Sequence, residues 1–302
     1  MSAPVVHSAR PGKLSTGIPA GTRICVIGDV HGRSAEFRCL LDHFAAGCPG
    51  HDRNLLILLG DLVDRGRDSL GALDTAIDVV DDPGSRGFDQ VVPLMGNHEQ
   101  MMRVTLEGLP EFDPWIWLDN GGVKVAEQLG CDVPQDVFSR QGAWRLDSVP
   151  PQDQINRRFS ECMVSALGER RVRFLEQLRS HVRQGRLLFV HAGVDPDEEI
   201  EAFLALPWYM VNNYHWAWIR HSFLRHPEPA RGLVVVHGHT PVRFDSLSET
   251  TDGIVLPHLL NGGKINLDGG SFVSGRVAGA EFLATEYRVT VAVGAPDRLW
   301  YY

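Results

Sequence analysis

The chain has 302 residues, of which 43% are hydrophobic and 22% are charged, a balance typical of a folded globular protein and not of a disordered chain. Its 38 acidic and 29 basic residues give a net charge of −9, which disfavours broad binding to nucleic acids or anionic membranes. Any phosphate chemistry therefore requires discrete local cations.

The sequence carries no sign of export or membrane insertion. No apolar run approaches the roughly 18 residues of a membrane span, and the first twenty residues lack the apolar core of a signal peptide. The five cysteines form no CxxC pair, and their odd number leaves one unpaired in any disulfide scheme. We therefore expect a cytoplasmic protein with no membrane or nucleic-acid partner.

From residue 22 onward, short β-branched apolar runs alternate with amphipathic stretches of helical length, which predicts an α/β fold. The predicted strands cover residues 22–28, 54–60, 89–95, 186–190 and 232–237, and the predicted helices cover residues 34–46 and 68–80. Residues 1–20 contain three prolines and two glycines, which predict a mobile tail. Residues 21–302 are expected to form a single domain.

The strand signal stops in the middle of the chain. Between residues 110 and 185, helix-like segments are interrupted by Pro134, Pro150 and Pro151, and this pattern predicts an inserted helical cap. Beyond residue 264, three further segments are predicted to be consecutive antiparallel strands that complete a second sheet. These segments are residues 264–267, 276–283 and 287–293.

Polar clusters follow five of the predicted strands. They read GDVHG at 28–32, GDLVDRG at 60–66, GNHE at 96–99, HAG at 191–193 and GHT at 238–240. Because successive crossovers bring such loops to one edge of an α/β sheet, residues far apart in sequence can meet there. The spacing therefore predicts a composite site.

The first clusters contain side chains suited to metal binding. Asp29 and His31 offer a carboxylate and an imidazole from one tight turn, although a turn with a surface histidine is the alternative. Asp61 follows a very apolar strand, where an unpaired carboxylate suffers desolvation unless it meets a cation. Asp64 and Arg65 follow in the same loop, and the arginine presents a planar donor fork suited to phosphate or to an internal ion pair with the aspartate.

The later clusters divide their roles between neighbours. Asn97 can offer an oxygen ligand, while His98 projects differently and is free to transfer a proton. His191 and His239 each end an apolar strand and can supply nitrogen ligands, although either alone is more often structural. Oxygen and nitrogen donors without thiolate suit manganese, iron or zinc better than calcium.

The ordered set of five clusters resembles that of the calcineurin-like metallophosphoesterases, and specifically the phosphoprotein phosphatase branch that includes bacterial serine/threonine phosphatases. The likeness covers about residues 22–283. Thr240 and Pro241 stand where other branches end in Gly-His-x-His, which favours the phosphatase branch. The resemblance implies two mixed β-sheets packed as an α/β/β/α sandwich with the helical cap inserted.

The resemblance also implies a ligand set for two divalent metal ions, with manganese expected and iron or zinc as alternatives. Asp29 and His31 bind one ion, Asp61 bridges both, and Asn97, His191 and His239 bind the other. It further implies that His98, oriented by Asp64, protonates the leaving group and that Arg65 and Arg220 contact phosphate oxygens. His237, which precedes the last glycine and histidine, is placed outside the metal ligands.

Arg220 is assigned from its context, the run HWAWIR at residues 215–220, which resembles a Trp-x-Arg element of bacterial members of the branch. A surface arginine on an aromatic helix is the alternative, and Arg243 is a weaker candidate for the same role. Eight arginines between residues 157 and 186 predict a basic helix face, either simply solvated or able to recruit an acidic substrate.

The predicted function is the hydrolysis of phosphomonoesters by a metal-bound hydroxide, with a phosphorylated substrate as the partner. The favoured type is a serine/threonine protein phosphatase. A symmetrical dinucleoside tetraphosphatase uses the same metal centre and is the alternative enzyme. A catalytically silent phosphate-binding or scaffold protein is the alternative of another class, and the complete ligand set argues against it.

Overall fold

The computed structural model of the protein describes residues 3–14, 17–109, 111–133, 152–241, 248–250, 253–255 and 263–295. The strands are β1 Val5–Ser8, β2 Gly12–Lys13, β3 Thr22–Ile27, β4 Arg53–Leu58, β5 Gln90–Pro93, β6 His181–Gln184, β7 Leu187–Val190, β8 Val234–His237, β9 Ser248–Thr250, β10 Gly253–Val255, β11 Lys264–Asn266, β12 Arg276–Leu283 and β13 Glu286–Val293. In chain order, the first seven α-helices of the described residues are α1 Ser34–Ala46, α2 Ser69–Asp81, α3 Asn97–Leu106, α4 Pro114–Trp117, α5 Val123–Leu129, α6 Gln152–Leu167 and α7 Glu169–Gln177. Short helices follow at α8 Ile200–Leu204, α9 His221–Arg225 and α10 Ser271–Ser274, with a 3₁₀ turn at Pro83–Arg86 and a π-helical turn at Leu118–Gly122.

Two mixed sheets organise the described part of the chain. The larger sheet has the order β1-β13-β12-β3-β4-β5, with β2 also paired to β13, and its β3, β4 and β5 run parallel. The smaller sheet has the order β11-β8-β7-β6, in which only β6 and β7 pair antiparallel. Strands β9 and β10 form a separate hairpin.

Alternate residues of the central strands face two different cores. Leu55 and Ile57 of β4 join an apolar cluster built from strands of both sheets, whereas Leu56 and Leu58 join the cluster beneath the helices. This alternation explains why β4 reads as a continuous apolar run, since both of its faces are buried. The predicted α/β/β/α sandwich of two mixed sheets with flanking helices is therefore confirmed.

The expected grouping of the last three strands is wrong. β12 and β13 pair antiparallel as predicted, but they extend the larger sheet, because β12 pairs with β3. β11 belongs to the smaller sheet and runs parallel to β8. A Cβ at Gly279 would lie 2.5 Å from the carbonyl oxygen of Val26, so the glycine permits the close approach of β12 to β3.

The N-terminal residues also differ from the expected mobile tail. Val5–Ser8 pairs antiparallel with β13 along four residues and forms the edge of the larger sheet. The prolines that suggested a tail are compatible with this position, because an edge strand needs partners on one side only. The described part of residues 1–20 is therefore bound to the sheet.

The described part of the predicted insert contains helices α4 to α7 and strand β6. Helix α6 packs against α3 and α5, and α7 packs against α2 and α3, so these helices extend the layer that covers the larger sheet. Residues 134–151 of the insert lie outside the described residues. The sequence analysis missed β6, which ends the insert. Within the described segments, the structure contains no helix with both the length and the apolar character to cross a membrane.

Candidate active site

The loops that follow the central strands of both sheets converge. The structure brings together the predicted site residues, which are Asp29, His31, Asp61, Asp64, Arg65, Asn97, His98, His191, Arg220 and His239. The described residues contain two groups of candidate metal ligands, and the ligand atoms inside each group all lie within 4.8 Å of one another. One group is His31, Asp61 and His98, and the other is Asp61, His191 and His239.

Asp61 lies at the centre of both groups. Its Oδ2 is 3.5 Å from Nε2 of His31 and 4.0 Å from Nε2 of His98, whereas its Oδ1 is 3.4 Å from Nε2 of His191. Burial raises the pKa of Asp61, but His191, His98 and His31 lower it, and the net pKa lies well below the ordinary value. Each carboxylate oxygen thus faces a different group, as a bridging ligand requires.

Three imidazoles are oriented by backbone carbonyls. Nδ1 of His31 lies 2.9 Å from the carbonyl oxygen of Val63, and Nδ1 of His191 lies 2.9 Å from that of Leu59. His239 is reversed, with Nε2 3.1 Å from the carbonyl oxygen of Trp218. A ring N–H donated to a carbonyl leaves the other nitrogen as an acceptor facing the site, which is the tautomer that binds a metal.

Asn97 and Asp29 complete the set of candidate ligands. The Oδ1 atom of Asn97 is 2.8 Å from Nδ1 of His239 and 3.2 Å from Nε2 of His191. Asp29 accepts the backbone N–H of His239 at 3.0 Å. Burial raises the pKa of Asp29 well above its ordinary value, and the carboxyl of Asp268 beside it raises the pKa further.

His98, the predicted proton donor, is hydrogen-bonded to a buried carboxyl group. Its Nδ1 lies 2.6 Å from Oδ2 of Asp64, so Nε2 points toward Asp61 and the rest of the site. The two side chains are at most 1% exposed. Burial lowers the pKa of His98, and the charge of Asp61 raises it in part. Burial raises the pKa of Asp64, and the hydrogen bond from the Trp117 indole lowers it in part. The geometry matches a histidine whose orientation is fixed by a carboxylate.

The two predicted phosphate-binding arginines differ in how they are placed. NH1 of Arg65 is 3.2 Å from Nε2 of His31, and the Arg65 guanidinium lies 4.9 Å from the ring centre of Phe272. Arg220 is the residue before α9. Desolvation and the charge of Arg65 lower the pKa of Arg220, and the charge of Asp61 raises it, so Arg220 interacts electrostatically with both site residues. Arg243 lies outside the described residues.

Glu99 organises the loop after β4 from beneath. Its Oε2 accepts the backbone N–H groups of Asp61 at 2.8 Å and Gly96 at 3.0 Å, and its Oε1 accepts those of Leu62 at 2.7 Å and Val63 at 3.2 Å. The side chain is fully buried. One carboxylate therefore fixes two loops that carry candidate ligands.

Backbone strain concentrates at the site. Among the described non-glycine residues with positive φ, five belong to the predicted site: His31, Asp61, Asp64, Arg65 and His239, with φ between 43° and 70°. The backbone of a non-glycine residue rarely adopts a positive φ, and this conformation is found where the surrounding contacts stabilise it. The strained positions coincide with the side chains that face the two ligand groups.

The structure also adds residues that the sequence analysis did not select. Asp268 is 2% exposed and follows β11, so the rule applied to the other loops could have found it. Trp117 donates its indole N–H to Oδ2 of Asp64 at 2.9 Å, and no motif marked it. His237, placed outside the ligand set, turns its ring edge to Phe223 with 5.0 Å between ring centres.

The donor set fits a pair of divalent cations. Asp29 and Asp268 are adjacent buried carboxyls, which need a cation nearby if both are to be ionised. Three imidazoles with fixed tautomers and a central carboxylate supply nitrogen and oxygen donors, and Asn97 adds an amide oxygen. No thiolate belongs to either ligand group found in the described residues. This chemistry suits manganese, iron or zinc.

Comparisons with known proteins show the family of the chain. The calcineurin-like phosphoesterase family matches residues 22–295. A relative from Salmonella typhimurium strain LT2, serine/threonine-protein phosphatase 1, is 32% identical over 99 residues, and the match spans 33% of this chain and 38% of that protein. Among solved structures, a cold-active protein-tyrosine phosphatase of a Shewanella species is 15% identical, with a TM-score of 0.49 over 90% of this chain and 83% of that one. A metallophosphoesterase from Sphaerobacter thermophilus is 17% identical, with a TM-score of 0.40 over 90% of this chain and 88% of that one.

Proposed function

The chain belongs to the calcineurin-like phosphoesterase family and is a metal-dependent phosphoesterase, and we propose that it is a serine/threonine protein phosphatase. The observation that carries the proposal is the hydrogen bond between His98 and Asp64, which are 2.6 Å apart, at a histidine that lies within one of the two groups of candidate metal ligands. A positioned proton donor matters most for a poor leaving group such as the alkoxide of serine or threonine. The part-length likeness to a bacterial serine/threonine phosphatase supports the same choice.

Two ions are assigned to residues of this chain. Asp29, His31 and Asp61 would hold one, and Asp61, Asn97, His191 and His239 would hold the other. When bound, the ions supply positive charge that activates a water molecule toward phosphorus and offsets charge on the phosphoryl oxygens. Manganese is our proposal for their identity, with iron or zinc as alternatives that the same donors accept.

The protein's own side chains carry out the remaining steps. Arg65 and Arg220 bind the phosphoryl oxygens and orient the phosphoryl group so that the attacking oxygen approaches phosphorus opposite the leaving oxygen. The negative charge of the bound phosphoryl group raises the pKa of His98 and favours its protonated form. Nε2 of His98 then donates a proton to the departing oxygen, while Asp64 holds Nδ1 and keeps the ring in place.

A substrate panel tests the proposal. Purified protein is assayed on a phosphoserine peptide, a phosphotyrosine peptide and diadenosine tetraphosphate, with added manganese and with the metal content of the same preparation measured. We expect metal-dependent hydrolysis that is fastest on the phosphoserine peptide, measured as phosphate released from the peptides and as ADP formed from diadenosine tetraphosphate. Preferred cleavage of diadenosine tetraphosphate would replace the proposal with a dinucleoside tetraphosphatase.

Asp61→Asn is the matched control, because the substitution keeps the shape of the side chain and removes the charge that both ligand groups share. We expect the variant to lose metal and activity together. Equal turnover by the variant and the wild type would show that the measured activity does not come from this site.

A further inference from the structure

Trp117 reaches the active site from the helical insert. It is the last residue of α4, its side chain is fully buried, and its indole N–H donates to Oδ2 of Asp64 at 2.9 Å. The same oxygen accepts Nδ1–H of His98 at 2.6 Å. The insert thus contacts the acid–base pair directly, through the only polar atom of the indole.

The two donors determine how the Asp64 carboxylate is turned. Both bond to Oδ2, and Oδ1 is buried without a hydrogen-bond partner in the described structure. Removing the indole N–H would therefore remove one of the two hydrogen bonds that the described residues donate to this carboxylate and leave the bond from His98.

The turn that follows Trp117 holds the neighbouring arginine by different atoms. The carbonyl oxygen of Asn120 accepts Nε–H of Arg65, and that of Gly121 accepts its backbone N–H, both at 3.3 Å. Gly121 has φ 114°, and a Cβ there would lie 2.7 Å from Cγ of Arg65. The π-helical turn Leu118–Gly122 thus contacts Arg65, whereas Trp117 contacts the preceding residue, Asp64.

We propose that Trp117 is a positioning residue for leaving-group protonation, because its indole N–H holds the Asp64 carboxylate in the orientation that directs the His98 proton to the leaving oxygen. The inference rests on the proposed function, since it requires His98 to act as the proton donor. Trp117 would act through Asp64, which accepts its indole N–H. Its effect is expected in the dependence of the rate on the leaving group.

Trp117→Phe tests this role, because phenylalanine keeps an aromatic ring and removes the N–H. Activity is compared on p-nitrophenyl phosphate, whose leaving group needs little protonation, and on a phosphoserine peptide, whose leaving group needs a proton. We expect kcat on the peptide to fall about tenfold or more, the effect of losing a hydrogen bond to a charged group, and kcat on p-nitrophenyl phosphate to change less than about twofold. The proposal is overturned if kcat falls by the same factor on both substrates, or if it falls on neither, because the ratio of the two kcat values is then unchanged.

Three further variants separate positioning from packing. Trp115→Phe alters a partly buried tryptophan of the same helix and is expected to keep the wild-type ratio of the two rates. Trp117→His keeps a ring N–H and is expected to retain more peptide turnover than Trp117→Phe. Gly121→Ala displaces Arg65 and is expected to raise KM several-fold on both substrates without changing their kcat ratio. A Gly121→Ala protein with the selective loss expected of Trp117→Phe would overturn the assignment to Trp117.

The two proposals fail in different ways. A wild-type protein that hydrolyses neither phosphoester with metal bound rejects the proposed function. A wild-type protein that hydrolyses both, together with a Trp117→Phe variant that keeps their ratio, rejects only the role of Trp117.

Discussion

The loop after β4 and the outer face of α7 both carry charged residues, but they hold them in opposite ways. Asp61 and Asp64 are at most 2% exposed and are fixed by directional hydrogen bonds and strained backbone. Arg170 and Arg171 of α7 lie against aspartates of α2 at the surface. Buried charges cost free energy unless paired, whereas exposed pairs contribute little. The comparison therefore separates buried charged residues of the candidate site, which are fixed by several hydrogen bonds, from exposed charged residues of α7, which form ion pairs at the surface.

The outer arginines also answer part of the question raised by the sequence. Arg170 pairs with Asp78 and Asp81, and Arg171 pairs with Asp74. The basic composition of the insert is thus offset locally by the acidic face of α2. This pairing favours an ordinary solvated face over a surface that recruits an acidic substrate.

The largest expected effect belongs to His98, the group that the buried region holds most closely. His98→Asn keeps a side chain of similar size but cannot transfer a proton, so kcat on a phosphoserine peptide should fall by a factor of about 10² to 10⁴. Steady-state kinetics and metal analysis of the same sample measure this effect. The metal content should match that of the wild type, and unchanged turnover would reject the proton-donor role.

The second test concerns the hydrogen bonds beneath the loop. In the wild type, each carboxylate oxygen of Glu99 accepts hydrogen bonds from two backbone N–H groups. Glu99→Gln replaces one of these oxygens by an NH₂ group, which cannot accept, so at least two buried N–H groups lose their acceptor. We expect the free energy of unfolding to fall by about 3 kcal/mol, measured by urea denaturation. Glu107→Gln, at the residue that follows α3, is the control, because Glu107 is exposed and forms an ion pair with Arg103. Similar losses in both variants would remove the distinction between the two kinds of charge.

The third test uses a buried histidine that is kept neutral. Burial lowers the pKa of His215 to about 4, and its contact with the Pro207 carbonyl oxygen raises it only partly. The unfolded chain takes up this proton near pH 6.5, so the stabilising effect is complete above that pH and is lost as pH falls toward 4. Between pH 7 and pH 5, this residue should lower the free energy of unfolding by about 2 kcal/mol.

His215→Gln removes the titrating group, and urea denaturation at the two pH values measures the result. The variant should lose less stability than the wild type on going from pH 7 to pH 5. An identical loss in both proteins would mean that His215 takes up its proton equally in the folded and unfolded states.

The sequence predicted the central strands, the loops that follow them and the meeting of those loops, but it did not predict the partners of β12 or the contact of Trp117 with Asp64. The apolar run of β4 and the GDLVDRG cluster after it are adjacent in the chain, so both the strand and the position of Asp61 were predicted. The partners of β12 depend on the close approach at Gly279 to β3, a contact between distant residues that no local pattern encodes. Trp117 reached Asp64 by the same kind of contact and was missed for the same reason. The roles assigned to the site residues stay predictions until the variants are measured.

The smallest expected effect lies on the outer face of α7, where Arg171 donates to both carboxylate oxygens of Asp74 at 2.7 and 2.8 Å. Asp74 is 43% exposed at its side chain, so water and salt screen the pair. Arg171→Ala should lower the free energy of unfolding by less than about 1 kcal/mol, and activity should not change. Urea denaturation at low and high salt measures the loss, which should shrink as salt rises. A loss that exceeds that of Glu99→Gln would show that the surface pair, and not the buried carboxylate, carries the greater share of stability.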